Sequence, residues 1–401
     1  MKACGLIVEY NPYHNGHHYH FQEAKRATQA ECMVAIMSGN FLQRGEPAII
    51  DKFSRAKIAA KQGIDLVVEL PYFYAVQHSE IFAKGAIHLL HHLNVDTVCF
   101  GSEHGRIDDF KNMYEWINAH QTAYNEKLTE GLDQGLAYPK AHEQALVHIG
   151  GDQLTLDATQ PNNILGYQYV KNIYDHQAAI KPYTISRVKN HYHDQELNNP
   201  IASATSIRRY LLQNYHGKVE TAIPKETWTT LHTYQHKHGT WHDWQAYFHL
   251  LKYRLLTMKP KELANIHGMK EGLEHRMLQT VKYADNFHEW MSLMKTKRYT
   301  WTSLQRIFTH LLTNTQTSEI EAWLEKAETL PIVRVLAMND QGRAYLRSIK
   351  KQTDISWYTS NKAPYPYQTL DDRVDAAYYS ILPNASQQLL SQQSYQKPFI
   401  I

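Results

Sequence analysis

Short apolar runs rich in β-branched residues alternate with amphipathic stretches over roughly the first 215 residues of the chain. This alternation is typical of a parallel sheet whose strands are joined by helices. The apolar runs predict five strands, at Ala3–Val8, Cys32–Met37, Leu66–Glu69, Thr97–Phe100 and Tyr183–Val188. The amphipathic stretches predict helices at His17–Thr28, Lys52–Gln62, Ser79–His91, Asp108–His120 and from about Asn162 through Val170.

From about Ile223 onward the strand-like runs fade, and apolar residues recur at helical spacing. The predicted helices are Trp241–Met258, Lys259–Asn265, Leu273–Ala284, Trp301–Leu312 and Glu319–Thr329. We place the join in Asn214–Glu226, where glycine and proline interrupt the pattern. The predicted fold is therefore α/β, with a Rossmann-like parallel-sheet catalytic domain over residues 1–220 and a mostly α-helical domain over residues 221–401.

Composition excludes several classes of protein. The chain has 401 residues, 43% hydrophobic and 20% charged, and its apolar runs are far shorter than the roughly 20 residues that span a bilayer. Glu9 interrupts the N-terminal apolar run before a secretion signal is complete, and the three cysteines form no CxxC pair, so we expect a cytoplasmic protein with reduced core cysteines. The net charge of +3 names no partner, while 25 histidines and 27 tyrosines suit either catalysis or base stacking.

A first candidate site follows the first predicted strand, where His14-Asn15-Gly16-His17 opens a helix. Free backbone N–H groups and the positive end of the helix dipole favour anions at such a junction. Gly16 would let a phosphate approach the backbone, and two imidazoles three positions apart would face the same way and donate to phosphate oxygens. This combination indicates phosphoryl or nucleotidyl transfer, and the alternative is an ordinary His-rich helix start.

Two metal-site interpretations compete with this one. A zinc site built from His14, His17, His18 and His20 lacks a cysteine or a well-spaced carboxylate to complete a tetrahedral set. His142-Glu143 is followed by its next histidine only at His148, which is the wrong spacing for the HExxH helix face. We therefore predict no protein-held metal centre.

A second candidate site is Ser203-Ala204-Thr205-Ser206-Ile207-Arg208, which predicts another helix start with hydroxyl caps. Hydroxyls and N–H groups can bind the β- and γ-phosphates, and a guanidinium can neutralise the pyrophosphate as it leaves. Taken alone, the segment is equally typical of any capped helix that carries an arginine.

Together the two segments resemble the HIGH-type nucleotidyltransferase superfamily. Class I aminoacyl-tRNA synthetases share the first motif, but their Lys-rich second loop is poorly matched by Lys295-Thr296-Lys297-Arg298. The longer strings resemble the bacterial tRNA(Met) cytidine acetate ligase family through the first half of the chain and more loosely beyond. These strings are residues 8–17 (VEYNPYHNGH), 37–47 (MSGNFLQRGEP), 100–103 (FGSE), 160–166 (QPNNILG) and 186–187 (SR).

The resemblance implies a specific reaction. In that family, acetate and ATP give acetyl-adenylate and pyrophosphate, and N4 of the wobble cytidine, C34 of elongator tRNA(Met), takes the acetyl group as AMP leaves, without acetyl-CoA. Neither DNA nor a membrane is an implied partner. Carried over by motif, the ATP site comprises Ile7, Val8, Glu9, Tyr10, Asn11, Pro12, Tyr13, His14, Asn15, Gly16, His17, His18, Tyr19, His20, Gly101, Asn162 and Arg187.

The resemblance also implies roles for the catalytic residues. His14 and His17 would stabilise the α-phosphate during attack by acetate. Ser203, Thr205 and Arg208 would hold the leaving pyrophosphate, with Mg²⁺ bridging phosphate oxygens. Asn163 could replace Asn162 as the ligand, because Asn162 also fits a helix cap. The proton acceptor for acyl transfer is not identified.

Three further segments are open to two interpretations each. Ser38–Pro47 is either a substrate- or RNA-facing loop or a well-packed loop, and the basic face of the helix after Asp51 is expected to be solvated. Residues 251–310 hold eleven Lys or Arg against five Asp or Glu, interleaved with Tyr253, Tyr283, Tyr299 and Trp301, which suits tRNA binding or a mildly basic helical core.

The competing functions are an adenylyltransferase acting on a small phosphorylated cofactor precursor, and an RNA-binding protein that uses its nucleotide site as a switch.

Overall fold

The computed structural model describes residues 1–187, 202–213, 215–296, 299–350, 352–353, 355–358 and 365–401, with the backbone alone at residues 216 and 218. The strands are β1 (Ala3–Val8), β2 (Cys32–Ser38), β3 (Leu66–Leu70), β4 (Thr97–Ser102), β5 (Lys181–Ser186), β6 (Ile332–Met338), β7 (Ser356–Tyr358) and β8 (Phe399–Ile400). The helices up to the end of the first half are α1 (Asn15–Thr28), α2 (Lys52–Lys61), α3 (Tyr72–Ala75), α4 (Ser79–His92), α5 (Ile107–Ala119), α6 (Gln121–Asp133), α7 (Tyr138–His148), α8 (Pro161–Asp175), α9 (Ala204–Leu212) and α10 (His216–Val219).

The second half carries ten more helices within the described residues. They are α11 (Lys225–His238), α12 (Trp244–Thr257), α13 (Pro260–Ala264), α14 (Leu273–Thr280), α15 (Phe287–Met294), α16 (Trp301–Leu312), α17 (Thr317–Thr329), α18 (Asp340–Ile349), α19 (Gln368–Tyr379) and α20 (Asn384–Gln393), with 3₁₀ turns at Gly151–Gln153 and Val281–Tyr283. None of the helices in the described part of the chain is long and apolar enough to cross a membrane.

The strands form one sheet in the order β5-β4-β1-β2-β3-β6-β7, and β8 pairs with β6. The first five strands are mutually parallel, which confirms the predicted parallel sheet. The first four begin at the predicted residues, whereas the fifth begins two residues early and the predicted end at Val188 lies outside the described residues. The alternation of apolar runs with amphipathic stretches therefore predicted the five strands of the first half.

Three strands lie in the half that was predicted to be mostly helical. β6 runs antiparallel to β3, with Leu66 opposite Met338 and Glu69 opposite Arg334, so the sheet is mixed. The division at residue 220 stays a prediction, but the chain after it returns to the edge of the first half's sheet. Prediction from helical spacing missed β6 because its apolar run is broken by a charged Arg334.

The strand order places a topological switch point at the centre of the sheet. From β1, the chain adds β2 and β3 on one side and β4 and β5 on the other. Helices connecting such strands diverge at this point, and the crevice at the carboxyl ends of the strands is where open α/β sheets bind ligands. The segments following β1 and β4 therefore line the expected ligand crevice.

Two cations of α2 contradict the expectation of a solvated basic face. Arg55 is fully buried and donates to the carbonyl oxygens of Glu9 at 2.5 Å and of Ser38 at 3.2 Å, with further bonds to Gly39 and Ile50. The carbonyls of Glu9 and Ser38 lie where β1 and β2 end, so the guanidinium ties the two strand ends together.

Lys52 is the second buried cation of α2, and it joins a charged network under the carboxyl edge. Its Nζ lies 2.8 Å from Glu69 of β3 and 3.0 Å from Asp375 of α19. Arg334 of β6 pairs with the same Glu69 at 3.2 Å and with Asp371 at 3.7 Å. Buried charges need such partners, so this network explains how Lys52 and Arg334 are accommodated in the core.

The loop Phe41–Pro47 joins the carboxyl edge to the helices of the second half. Gly45 has φ +74°, and a Cβ there would lie 2.2 Å from the backbone nitrogen of Arg306 in α16. Its carbonyl accepts from Trp244 Nε1 at 3.1 Å and Thr309 Oγ1 at 2.9 Å. Of the two interpretations of this segment, the structure favours the well-packed loop.

Candidate nucleotide-binding site

Two histidines close the loop between β1 and α1. The side chain of each one accepts a hydrogen bond from a backbone N–H of this turn. His14 is the N-cap of α1, and its Nδ1 accepts the N–H of Gly16 at 3.0 Å. The N–H of His14 in turn donates to Nδ1 of His17 at 3.3 Å. The two rings stack with their centroids 3.7 Å apart. This reciprocal arrangement is a capping box made of imidazoles.

These hydrogen bonds assign the protons on both rings. Since each Nδ1 accepts a backbone N–H, the hydrogen of each neutral imidazole is on Nε2. Burial lowers the pKa of His14 to about 3, with help from the charges of Arg187 and Arg208. Burial also lowers the pKa of His17 well below its ordinary value. Both rings are therefore neutral near pH 7, and each has an Nε2–H available as a donor.

Arg208 reaches this loop from α9, 197 positions further along the chain. Its Nη1 donates to the carbonyl oxygen of Asn11 at 2.9 Å, and its Nη2 pairs with Glu46 at 2.8 Å. The structure thus brings the arginine of the second motif to the loop that carries His14 and His17. Glu46, its partner in the Phe41–Pro47 loop, was not singled out from the sequence.

Gly101, Asn162 and Arg187 also meet at the carboxyl edge. The backbone N–H of Arg187 donates to the carbonyl of Ser102 at 2.9 Å, and its Nη1 donates to Oδ1 of Asn162 at 3.3 Å. A Cβ on Gly101 would lie 3.3 Å from Cγ of Arg187, so the glycine leaves room for the arginine's aliphatic stem. These three residues line the β4 side of the switch point.

Glu103 and Asn163 hold this side together. Asn163 is buried, its Oδ1 accepts from the N–H groups of Glu103 and His104, and its Nδ2 donates to Asp157. The Glu103 carboxylate accepts from Nδ2 of Asn162 and from the N–H of Asn163. The amides of both asparagines are thus used within the protein, and Asn162 differs in that its Oδ1 accepts from Arg187.

Ser203 and Thr205 lie at the start of α9, one turn before Arg208. Ser203 is its N-cap, and its Oγ accepts the N–H of Ser206 at 3.1 Å. Thr205 is exposed. The structure places both hydroxyls on the turn that carries Arg208 but gives neither a described contact with the β1–α1 loop.

The other residues of the Ile7–His20 segment form the walls of this loop. The rings of Tyr10 and Tyr13 are buried, and the Tyr10 ring centroid lies 5.0 Å from that of His17. Asn15 fastens the start of α1 to the second half through Nδ2 to the carbonyl of Thr221, at 2.9 Å. Burial lowers the pKa of His20 to about 4. Ile7 and Val8 end β1, the Asn11–Pro12 peptide is cis, and His18 and Tyr19 lie on the first turns of α1.

The part of the chain that the structure describes contains no group of three or more His, Cys, Asp or Glu side chains arranged to hold a metal ion. His142, the other histidine considered for zinc, is buried and bonded to Tyr124. Its ring stacks on that of Tyr138. The site as described is thus a set of N–H and guanidinium donors suited to an anion.

Comparison with known proteins identifies what the chain resembles. The family model of the HIGH nucleotidyl transferases matches residues 1–393. The tRNA(Met) cytidine acetate ligase of Oceanobacillus iheyensis is 48% identical, with 100% of both chains covered. The enzymes of the same name from Anoxybacillus flavithermus and Bacillus subtilis are 47% and 42% identical, covering 99% and 96% of this chain and 99% and 92% of theirs.

Solved structures give the same result. The crystal structure of Thermotoga maritima TmcAL bound with alpha-thio ATP superposes with a TM-score of 0.89 at 27% sequence identity, and 100% of both chains is covered. The apo form of that protein gives a TM-score of 0.91 at 28% identity, also over 100% of both chains.

Proposed function

The chain belongs to the tRNA(Met) cytidine acetate ligase family of HIGH nucleotidyl transferases, and from this premise we propose that it activates acetate with ATP and acetylates N4 of the wobble cytidine of elongator tRNA(Met). The observation that carries the proposal is the pair of neutral imidazoles, His14 and His17, whose Nε2–H donors lie on the loop that Arg208 contacts. Such a site can bind a triphosphate and stabilise charge on its α-phosphate.

The first step needs no nucleophilic side chain. An acetate oxygen attacks the α-phosphorus, and the bond to the β-phosphate oxygen breaks to release pyrophosphate. His14 and His17 donate Nε2–H to the α-phosphate oxygens as negative charge accumulates there. Because both rings are held by backbone hydrogen bonds before ATP arrives, the site does not have to reorganise during the reaction.

Arg208, together with the hydroxyls of Ser203 and Thr205, holds the departing pyrophosphate. In the described structure the Arg208 guanidinium is bound to Asn11 and Glu46, which aims it along the β1–α1 loop. Arg187 and Asn162 bind the nucleotide from the β4 side. The described residues offer no group of three or more His, Cys, Asp or Glu side chains that could hold a metal ion, so Mg²⁺ would take its ligands mainly from phosphate oxygens and water, where it would neutralise phosphate charge.

The tRNA would bind the helical elements of residues 221–401. Tyr253 of α12 is 68% exposed and Tyr283 is 78% exposed, which is unusual for aromatic side chains and suits stacking on unpaired bases. Lys252 connects α12 to the residue that follows Tyr283, because its Nζ donates to the carbonyl oxygen of Ala284 at 2.8 Å. Lys282 and Lys295 are exposed nearby in sequence and can contact phosphates, while Lys297 and Arg298 lie outside the described residues. A tRNA-modifying role places the enzyme in the cytoplasm.

The test is an incubation with labelled acetate, ATP, Mg²⁺ and bulk tRNA, in which AMP release and label in RNA are both measured. We expect label in tRNA(Met) only, with one AMP released for each acetyl group transferred. Label that appears only when acetyl-CoA replaces acetate and ATP would contradict the proposal. The matched control is a transcript with uridine at the wobble position. Its addition should cause no extra AMP release, and it should accept no label.

The adenylyltransferase alternative is separated by its products. That reaction joins AMP to a small phosphorylated precursor. It would therefore release pyrophosphate but no free AMP, and it would not require acetate. The exposed tyrosines and lysines of the second half favour the tRNA-dependent reaction, since a small-molecule transferase has no use for them.

A further inference from the structure

The second half of the proposed reaction needs a group that accepts a proton. When the N4 amine of cytidine attacks the acetyl carbon, it must lose one hydrogen. His14 and His17 cannot take it, because each Nδ1 already accepts a backbone N–H and each Nε2 carries the hydrogen. A protein group that accepts this proton is therefore a group other than these two histidines.

Most carboxylates near this edge already have partners. Glu46 is paired with Arg208 at 2.8 Å, and Glu69 is paired with Lys52 at 2.8 Å. The carboxylate of Glu103 accepts hydrogen bonds from the start of α8. A carboxylate that is bound to a cation or used as a structural acceptor is a poor base, because its charge is already stabilised.

Glu9 differs from all of these. It is the first residue after β1 and therefore lies at the carboxyl end of the central strand, five positions before His14. Its Oε1 accepts the N–H of Gln43 at 2.8 Å, and among the described residues its carboxylate makes no ion pair and receives no other hydrogen bond. Oε2 thus has no hydrogen-bond partner in the part of the chain that the structure describes.

The position of Glu9 is fixed by buried groups. Its carbonyl oxygen accepts from Arg55 at 2.5 Å, and Arg55 also holds the end of β2. Gln43 belongs to the Phe41–Pro47 loop that packs on α16, so Arg55 holds the backbone of Glu9 and the Gln43 N–H orients its carboxylate. A base held in this way loses little freedom when the substrate arrives.

Burial also adjusts the basicity of this carboxylate. It raises the pKa of Glu9, while the Gln43 hydrogen bond and the charges of the neighbouring arginines oppose the shift. A carboxylate whose pKa is raised is a stronger base than an ordinary one. The charged and titratable groups that face it are Arg44, Glu46, Arg55, Tyr169 and Arg208.

We propose that Glu9 is the proton acceptor of acyl transfer, an inference that rests on the proposed function. The N4 nitrogen forms a bond to the acetyl carbon as the bond between that carbon and the AMP oxygen breaks. The N4 hydrogen passes to Oε2 of Glu9, and AMP leaves with the bonding electron pair. Glu9 then returns the proton to water.

The test separates the two half-reactions in the full-length enzyme. Acetate-dependent exchange of pyrophosphate into ATP reports adenylation, and single-turnover transfer from the preformed acetyl-adenylate complex to tRNA reports the second step. In Glu9→Gln, whose amide oxygen can still accept from Gln43, we expect transfer to slow by about 10²-fold more than exchange does. The wild-type transfer rate should rise with pH through one ionisation that the variant lacks.

Controls distinguish this role from others. Glu9→Asp keeps a carboxylate and should recover part of the transfer rate and the pH dependence. Glu80→Gln, the same change on an exposed residue of α4, should alter neither step. Equal loss of exchange and transfer in Glu9→Gln, or an unchanged transfer rate, would overturn the assignment. Absence of exchange in the wild-type enzyme would instead contradict the proposed function.

Discussion

The backbone N–H of His14 donates to Nδ1 of His17, and the two rings lie stacked with centroids 3.7 Å apart. One interaction thus both closes the first turn of α1 and fixes which nitrogen of His17 carries its hydrogen. The side chain that caps the helix is thus also the proposed donor to the α-phosphate.

His17→Ala should abolish acetate-dependent AMP release while leaving the fold intact. Loss of one positioned donor to the α-phosphate is expected to slow adenylation by about 10²–10³-fold. The lost cap hydrogen bond should lower the free energy of unfolding by only about 1 kcal/mol. Exchange kinetics and urea denaturation measure the two effects. Full retention of acetate-dependent AMP release would show that the role of His17 is misassigned.

Charge reversal at Lys295 and Lys297 should weaken tRNA binding most at low salt. Each lost phosphate contact is expected to reduce the slope of log K against log salt by about 1. Binding is measured by filter retention across a salt series. An affinity that falls equally at every salt concentration would argue against phosphate contacts.

Replacing the exposed Tyr253 or Tyr283 by alanine should weaken tRNA binding without changing how the affinity depends on salt. Lost stacking is expected to cost about 1–3 kcal/mol of binding free energy per base with an unchanged salt slope. Tyr395→Ala, on a 47% exposed tyrosine near the C-terminus, is the matched control and should leave the affinity unchanged. The same loss in all three variants would remove the case for a stacking surface on α12 and the 3₁₀ turn Val281–Tyr283.

Below about pH 6.5 the free energy of unfolding should decrease as the pH is lowered, in part because of His142. Burial lowers its pKa from an ordinary 6.5 to about 4, so between these values the unfolded chain binds a proton that the folded protein does not. Stability therefore rises with pH across this window and is lost as pH falls through it, by at most about 3 kcal/mol from this group. In His142→Gln, the free energy of unfolding measured by urea titration from pH 4 to pH 8 should depend less steeply on pH. Identical slopes would contradict the assignment.

Arg334→Gln should destabilise the protein strongly because Arg334 pairs with two buried carboxylates. It would leave Glu69 and Asp371 short of positive charge in the core, a change worth about 3–5 kcal/mol. Arg343→Gln, on an exposed arginine of α18, is the control and should change stability by less than about 0.5 kcal/mol. Thermal unfolding of both variants tests whether the second half stabilises the sheet through this network.

The sequence predicted features that depend on neighbouring residues and missed those that depend on distant ones. The strand that precedes His14 and the helix that follows it are local patterns, and both were predicted. The pairs Glu46–Arg208 and Glu9–Gln43 join positions far apart in the chain, and no periodicity encodes them.

Buried cations were the second source of error. Lys52 and Arg55 fit a solvated helix face by composition, but a buried network and a set of strand-end carbonyls accept them. Arg334 interrupts the apolar run of β6 for the same reason, so a pattern-based prediction rejects the strand. In each case the compensating groups come from other elements, and one sequence does not show them.

The pairing of β3 with β6 has a consequence for synthesis on the ribosome. Leu70 ends β3, and Met338 ends its partner about 270 residues later. At a translation rate of roughly 5–20 residues per second, the outer edge of the nascent parallel sheet stays uncovered for tens of seconds. An unpaired edge of this kind invites pairing with other chains, so chaperone demand and aggregation during expression should depend on how quickly the last seventy residues emerge.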